Sequence, residues 1–136
     1  MIKSHVLGFP RVGEQRELKF ELERFWRGAV SEAQLLETGK SLRQRHWQAQ
    51  IDSGLDWVTV GDFSFYDLMA DHIQLLGCEP ARFNFSAEQS QLERYFRMVR
   101  GQNKCVSDSS PDSSSNFALE MTKWFDTNYH YMVPEF

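Results

Sequence analysis

A turn near the start of the chain carries the residues best suited to bind an anion. Arg11, Arg16 and Lys19 follow an apolar segment and lead into a helical pattern. Because Arg16 and Lys19 are three residues apart, we expect them to share a face near the N-terminus of that helix. Such a position suits a carboxylate or phosphate group. The alternative is that these cations are solvated and pair with nearby acidic residues, which are Glu14, Glu17 and Glu23.

The same turn resembles a phosphate-binding loop only in its glycines. Gly8 and Gly13 have the required spacing, but Glu14 and Gln15 stand where such a loop needs Lys and then Ser or Thr. The sequence therefore excludes a nucleotide site here.

Asp62 is a second candidate, because it directly follows a predicted strand. In a β/α barrel, residues at that end of a strand face the active site, so Asp62 could orient a substrate. It could equally be the N-cap of a helix that begins at Phe63 or Ser64. The sequence leaves both roles open.

Metal-binding patterns are missing from the sequence. The four histidines are scattered, and no two share metal-ligand spacing on one helix. Cys78 and Cys105 form no Cys-x-x-Cys pair, so we predict two reduced thiols without a zinc site or a disulfide framework. Trp26, Trp47, Trp57 and Trp124 are predicted to lie in the core.

Composition narrows the class of protein. The 136 residues are 41% hydrophobic and 25% charged, which is typical of a soluble globular domain. A net charge of −4 argues against nucleic-acid binding. No apolar run reaches the roughly 18 residues of a membrane span, and the N-terminus lacks the pattern of a secretory signal. We therefore expect a cytoplasmic location and no membrane partner.

Hydrophobic spacing predicts strands that alternate with helices. Strands are predicted at residues 5–10, 55–61 and 129–133. Helices are predicted at 18–26, from the capping-box pair Ser31 and Gln34 to Gly54, from about 63 to 76, and from the pair Ser86 and Gln89 to Gly101. Residues 101–116, rich in Ser, are predicted to form a flexible loop.

This order predicts an α/β fold, with about three parallel strands joined by crossover helices. The pattern fits an open sheet or part of a β/α barrel of the TIM type, and it does not decide between them. A final strand without a covering helix would expose an edge and an apolar face. We therefore expect a homo-oligomer, or docking to a missing part of a barrel, with residues 129–133 near the interface.

Three groups of segments resemble the N-terminal domain of the cobalamin-independent methionine synthases, the 5-methyltetrahydropteroyltriglutamate–homocysteine methyltransferases. They are LGFPRVG at 7–13 with RELK at 16–19; RHW at 45–47 with VGDF at 60–63 and YD at 66–67; and EMTKWFDTNYHYMVPEF at 120–136. The last run is long and highly specific, and the likeness extends from about residue 4 to the end.

The resemblance implies that residues 1–136 are the N-terminal part of the first of two β/α barrels. It implies contacts to the polyglutamate tail of 5-methyltetrahydropteroyl-polyglutamate from Arg16, Glu17, Leu18, Lys19 and Lys123. The family's zinc, its ligands and the homocysteine site belong to the other barrel, so no catalytic residue, metal ligand or cofactor is expected in this chain. It would then be inactive alone. A stand-alone, non-catalytic folate-binding or interaction module is the alternative.

Overall fold

The computed structural model describes residues 2–101 and 117–135. The chain divides into two compact units, Met1–Phe65 and Tyr66–Phe136. The predicted Ser-rich loop lies outside the described residues, apart from Gly101. No helix in the described part of the chain is both long and apolar enough to cross a membrane.

The first unit is built on two helices, α1 (Glu17–Trp26) and α2 (Glu32–Asp52). They pack through the buried side chains of Leu18, Leu22, Leu35 and Leu42. Both helices lie where the spacing of apolar residues predicted them. The predicted capping box of α2 is confirmed, since Ser31 N–H donates to Gln34 Oε1 (2.8 Å) and Gln34 N–H donates to Ser31 Oγ (3.3 Å).

The segments predicted as the first two strands lie beside each other, but the structure assigns no strand to either. Three hydrogen bonds join residues that are 53 positions apart: Trp57 N to Ser4 O (3.2 Å), Thr59 Oγ1 to Val6 O, and Phe9 N to Asp62 Oδ2 (2.6 Å). The constant offset means that the two segments run in the same direction. Two of the three bonds use side chains, so no regular ladder forms.

The second unit contains α3 (Leu68–Leu75), a 3-10 turn (Ala81–Phe83), α4 (Gln91–Arg100) and two strands, β1 (Met121–Lys123) and β2 (His130–Met132). Its core includes Ile73 of α3, Phe83, Met98 of α4, and Met132 of β2. Buried Tyr95 fixes the start of α3, because its hydroxyl accepts hydrogen bonds from the N–H groups of Tyr66 (3.0 Å) and Asp67 (2.7 Å).

The third predicted strand exists as β2, but its partner was not predicted. It pairs antiparallel with β1, in the register Met121 to Met132 and Lys123 to His130. Among the residues that the structure describes, this strand is paired only on one side, so a parallel neighbour for it stays a prediction. An antiparallel pair can be closed by a short connection, whereas a parallel pair needs a crossover.

Two predicted helix starts were wrong by about one turn. The structure caps α3 with Asp67, which accepts a hydrogen bond from Ala70 N–H (2.9 Å), and caps α4 with Ser90. Ser86 and Gln89 form a separate turn before α4.

The prediction that the tryptophans lie in the core was also wrong for three of them. The exposed fractions are 36% for Trp26, 64% for Trp57 and 50% for Trp124. An indole can lie partly in solvent because its ring has a polar edge.

Candidate functional site

The turn before α1 is held in a strained backbone conformation. Gly13 has φ 83° and Arg16 has φ 62°, so both lie in the left-handed region. Arg16 N–H donates to Gly13 O (3.1 Å), and Leu18 N–H donates to Val12 O (3.1 Å). A left-handed conformation costs a residue other than glycine about 1 kcal/mol. Arg16 is therefore placed by the turn against its own preference.

The three cations of this region have different surroundings. Arg11 donates to the hydroxyl of buried Ser64, so it helps to fix the turn. Lys19 is exposed and lies 3.8 Å from Glu23, the kind of pairing that the alternative reading predicted. Arg16 is exposed, and no salt bridge joins it to another residue that the structure describes.

The argument that Arg16 and Lys19 share a helix face needs correction. Arg16 is the N-cap residue, and its left-handed backbone places it outside the regular helix. Three-residue spacing aligns side chains only within a helix. Arg16 still directly precedes the first turn of α1, which contains Glu17 and Lys19.

Glu17 has both carboxylate oxygens engaged. Oε1 accepts a hydrogen bond from Arg45 Nη2 (2.6 Å), and Oε2 accepts one from Gln15 N–H (3.0 Å). Its own backbone N–H, and then Arg45, lower the pKa of Glu17. The carboxylate is therefore ionised near neutral pH and tied to the turn.

Leu18 and Lys123 complete the predicted set. The side chain of Leu18 is buried, with 2% exposed, so it packs in the core of the first unit and does not face solvent. Lys123 is exposed at the end of β1, opposite His130, in the second unit.

Asp62 is not a helix N-cap, because α3 begins at Leu68. Its carboxylate accepts a hydrogen bond from Phe9 N–H (2.6 Å) and lies close to Gly8. His46 of α2 stacks on Phe9, with ring centroids 4.7 Å apart, and burial lowers the pKa of His46. Asp62 and His46 therefore both hold Phe9, which lies in the segment that leads into the turn.

Two grooves were not predicted from the sequence, and the first of them includes one predicted residue, Glu17, in its lining. One, of about 390 Å³, runs between α1 and α2, and its lining includes Glu17, Glu21, Glu37 and Arg45. The other, of about 520 Å³, lies in the second unit and is mostly apolar. Its lining consists of Leu68, Met69, His72, Leu76, Trp124, Tyr129 and Tyr131. Sequence reasoning missed this groove, although the density of aromatic residues at 124–131 was a signal for it.

Within residues 2–101 and 117–135, no three His, Cys, Asp or Glu side chains are grouped so that they could hold a metal ion. The donors present therefore do not fit the zinc site that the family resemblance implies for the complete enzyme. No methyl-transfer step is assigned to these residues.

The structure places exposed cations beside a constrained turn at the N-terminus of a helix, a kind of site that suits an anionic ligand. The family sequence model described as "Cobalamin-independent synthase, N-terminal domain" matches residues 3–136. The chain belongs to this family.

Proteins similar to this chain carry one name, 5-methyltetrahydropteroyltriglutamate–homocysteine methyltransferase. The relative from Ralstonia pickettii is 52% identical over 135 residues, and that from Paraburkholderia phytofirmans is 51% identical over 135 residues. The relative from Syntrophotalea carbinolica is 50% identical over 133 residues. These matches cover 98–99% of the chain but only 16% of each relative.

Proposed function

We propose that this chain forms part of the folate-binding region of a cobalamin-independent methionine synthase, an enzyme that transfers a methyl group from 5-methyltetrahydropteroyl-polyglutamate to homocysteine. The family match and the names of the relatives support this reading. The chain spans 16% of the length of those relatives, so the proposal assigns it one part of the activity. That part is to bind the glutamate tail of the folate.

The observation that carries the proposal is the state of Arg16. It is an exposed cation in a left-handed conformation, at the start of a helix whose first turn contains Lys19. Strained backbone persists only where the surrounding structure holds it, and it is concentrated at functional sites. A tail of several carboxylates is best recognised by cations on a rigid support.

We also propose that the chain is part of a β/α barrel and that it does not catalyse methyl transfer alone. The two parallel segments at 4–9 and 57–62 support a reading in which they are neighbouring parts of a β/α barrel. We also expect the chain alone not to methylate homocysteine, because the donors among residues 2–101 and 117–135 do not form a zinc site. Methylation by purified chain would contradict this part. The cytoplasmic location stays a prediction.

The test compares folates that differ only in tail length. In calorimetry, 5-methyltetrahydrofolate with three glutamates should bind more tightly than the form with one, because the longer tail adds carboxylates. Lys19→Ala and Lys123→Ala should each lower the ratio of the triglutamate affinity to the monoglutamate affinity by about threefold, as expected for one exposed charge contact. Added salt should lower this ratio further.

Lys40→Ala is the matched control. Lys40 is also an exposed lysine paired with a carboxylate, at 3.6 Å from Glu37, but it lies on α2. Lys40→Ala should leave the preference for the triglutamate form unchanged. Equal affinity of the unaltered chain for both folates would overturn the proposal, and an equal effect of all three variants would reduce it to a general effect of charge.

A further inference from the structure

Arg45 is a cation that lies close to the proposed tail site but belongs to α2. Its Nη2 donates to Glu17 Oε1 at 2.6 Å, across 28 positions of sequence. Half of its side chain is exposed, against 31% for Glu17. The contact therefore lies at the surface, where it joins α2 to the first residue of α1.

Glu17 itself is poorly suited to contact an anionic tail. Its negative charge sits between Arg16 and Lys19 in sequence, and both of its oxygens already accept hydrogen bonds within the protein. An uncompensated carboxylate at this point would repel the carboxylates of a ligand. The ion pair with Arg45 offsets that charge.

The same carboxylate also fixes the shape of the turn. Glu17 Oε2 accepts a hydrogen bond from Gln15 N–H. A β-carbon added to Gly13 would lie only 2.0 Å from this oxygen. Glu17 thus fills the space that Gly13 leaves open. Arg45 holds the carboxylate in this place from the other side.

We propose that Arg45 is a positioning residue that acts through Glu17 to hold the turn at 13–19 in its anion-binding shape. This inference rests on the proposed function, because it assigns a task to that same site. Arg45 does not need to touch the tail: it neutralises Glu17 and anchors it.

A double-mutant cycle tests the proposal in the full chain. The measured quantity is the ratio of affinities for the triglutamate and monoglutamate forms of 5-methyltetrahydrofolate. Arg45→Gln should lower this ratio by about threefold to fivefold, as expected for an exposed charge pair. In a Glu17→Gln background, the same change should alter the ratio by less than about twofold, because Arg45 then has no charge to offset.

Arg24→Gln is the matched control, since Arg24 forms an exposed pair with Glu21 at 3.0 Å on α1. It should not change the ratio. Arg45→Lys keeps the charge and should retain most of the preference. If Arg45→Gln does not fold by circular dichroism, Arg45→Met replaces it, because Arg45→Met also removes the charge.

The possible failures are distinct. If the unaltered chain shows no preference for the longer tail, the proposed function fails and this inference fails with it. If the preference exists but Arg45→Gln leaves it intact, only the positioning role is overturned. An equal loss in both backgrounds would also overturn it, because Arg45 would then act independently of Glu17.

Discussion

Gly13 shows how one residue can determine the shape of the candidate site. Its φ of 83° is one that side-chain-bearing residues rarely adopt, and the space beside its α-carbon is taken by Glu17 Oε2. Gly28, after α1, has a similar φ of 72° but open space around it. An alanine at position 28 would therefore add only backbone strain, whereas an alanine at position 13 would also collide with Glu17.

We expect Gly13→Ala to destabilise the protein more than Gly28→Ala. Gly28→Ala should cost about 1 kcal/mol of unfolding free energy, from the left-handed backbone alone. Gly13→Ala should cost about 2–3 kcal/mol, because the Glu17 carboxylate must also move. Urea denaturation of both variants measures the difference, and equal losses would show that the Glu17 contact is unimportant for stability.

In the second unit, an ion pair ties the segment after β2 to the 3-10 turn. Arg82 donates to both oxygens of Glu135, through Nε (2.6 Å) and Nη2 (2.8 Å), and to Phe117 O (2.7 Å). The hydrogen bonds from Arg82 lower the pKa of Glu135. A carboxylate with a lowered pKa stabilises the folded state only while it is ionised.

Glu135→Gln should therefore have an effect that depends on pH. The stabilisation by Glu135 is fully present above its ordinary pKa of 4.5 and is lost as the pH falls through the lowered folded value. Near neutral pH, the variant should lose about 0.5–1 kcal/mol, a small value because both side chains are partly exposed to solvent. Its stability should converge with that of the unaltered chain in acid.

Urea denaturation across this pH range measures the convergence. Glu37→Gln, which removes an exposed carboxylate 3.6 Å from Lys40, is the control and should change stability less near neutral pH. A constant gap between Glu135→Gln and the unaltered chain at every pH would show that the ion pair makes no ionisation-dependent contribution.

Across the whole molecule, each unit leaves large apolar side chains in solvent. In the first unit, Leu7 is 93% exposed and Val60 is 66% exposed, both on the paired parallel segments. In the second unit, Phe125 is 80% exposed and Tyr129 is 53% exposed, near the antiparallel pair. Large apolar side chains that form an exposed patch mark interaction sites, so these residues are candidates for one.

The prediction of self-association follows from these exposed side chains. Sedimentation velocity at about tens of micromolar should show a dimer or larger species. Tyr129→Ser should shift the distribution towards monomer, because residues 129–133 are predicted to lie near the interface. Phe20→Ser, at a residue with a similar exposed fraction of 51%, is the control. A monomer at these concentrations would contradict the prediction.

Local sequence was sufficient to predict the helices of the first unit. The apolar spacing of Leu18 and Leu22 and the Ser31–Gln34 capping box act within a few residues, so they determine α1 and the start of α2. Two N-cap residues compete before each helix of the second unit, Asp62 and Asp67 before α3 and Ser86 and Ser90 before α4. Their starts were therefore misplaced.

Tertiary structure decided which charges of the candidate site are free. Arg11 is held by Ser64, 53 positions away, and Glu17 by Arg45, 28 positions away, whereas Arg16 remains exposed. It also decided that β2 pairs antiparallel with β1. The sequence alone marked the cations of the RELK turn, but whether a charge can meet a ligand depends on partners that only the folded chain brings within hydrogen-bonding distance.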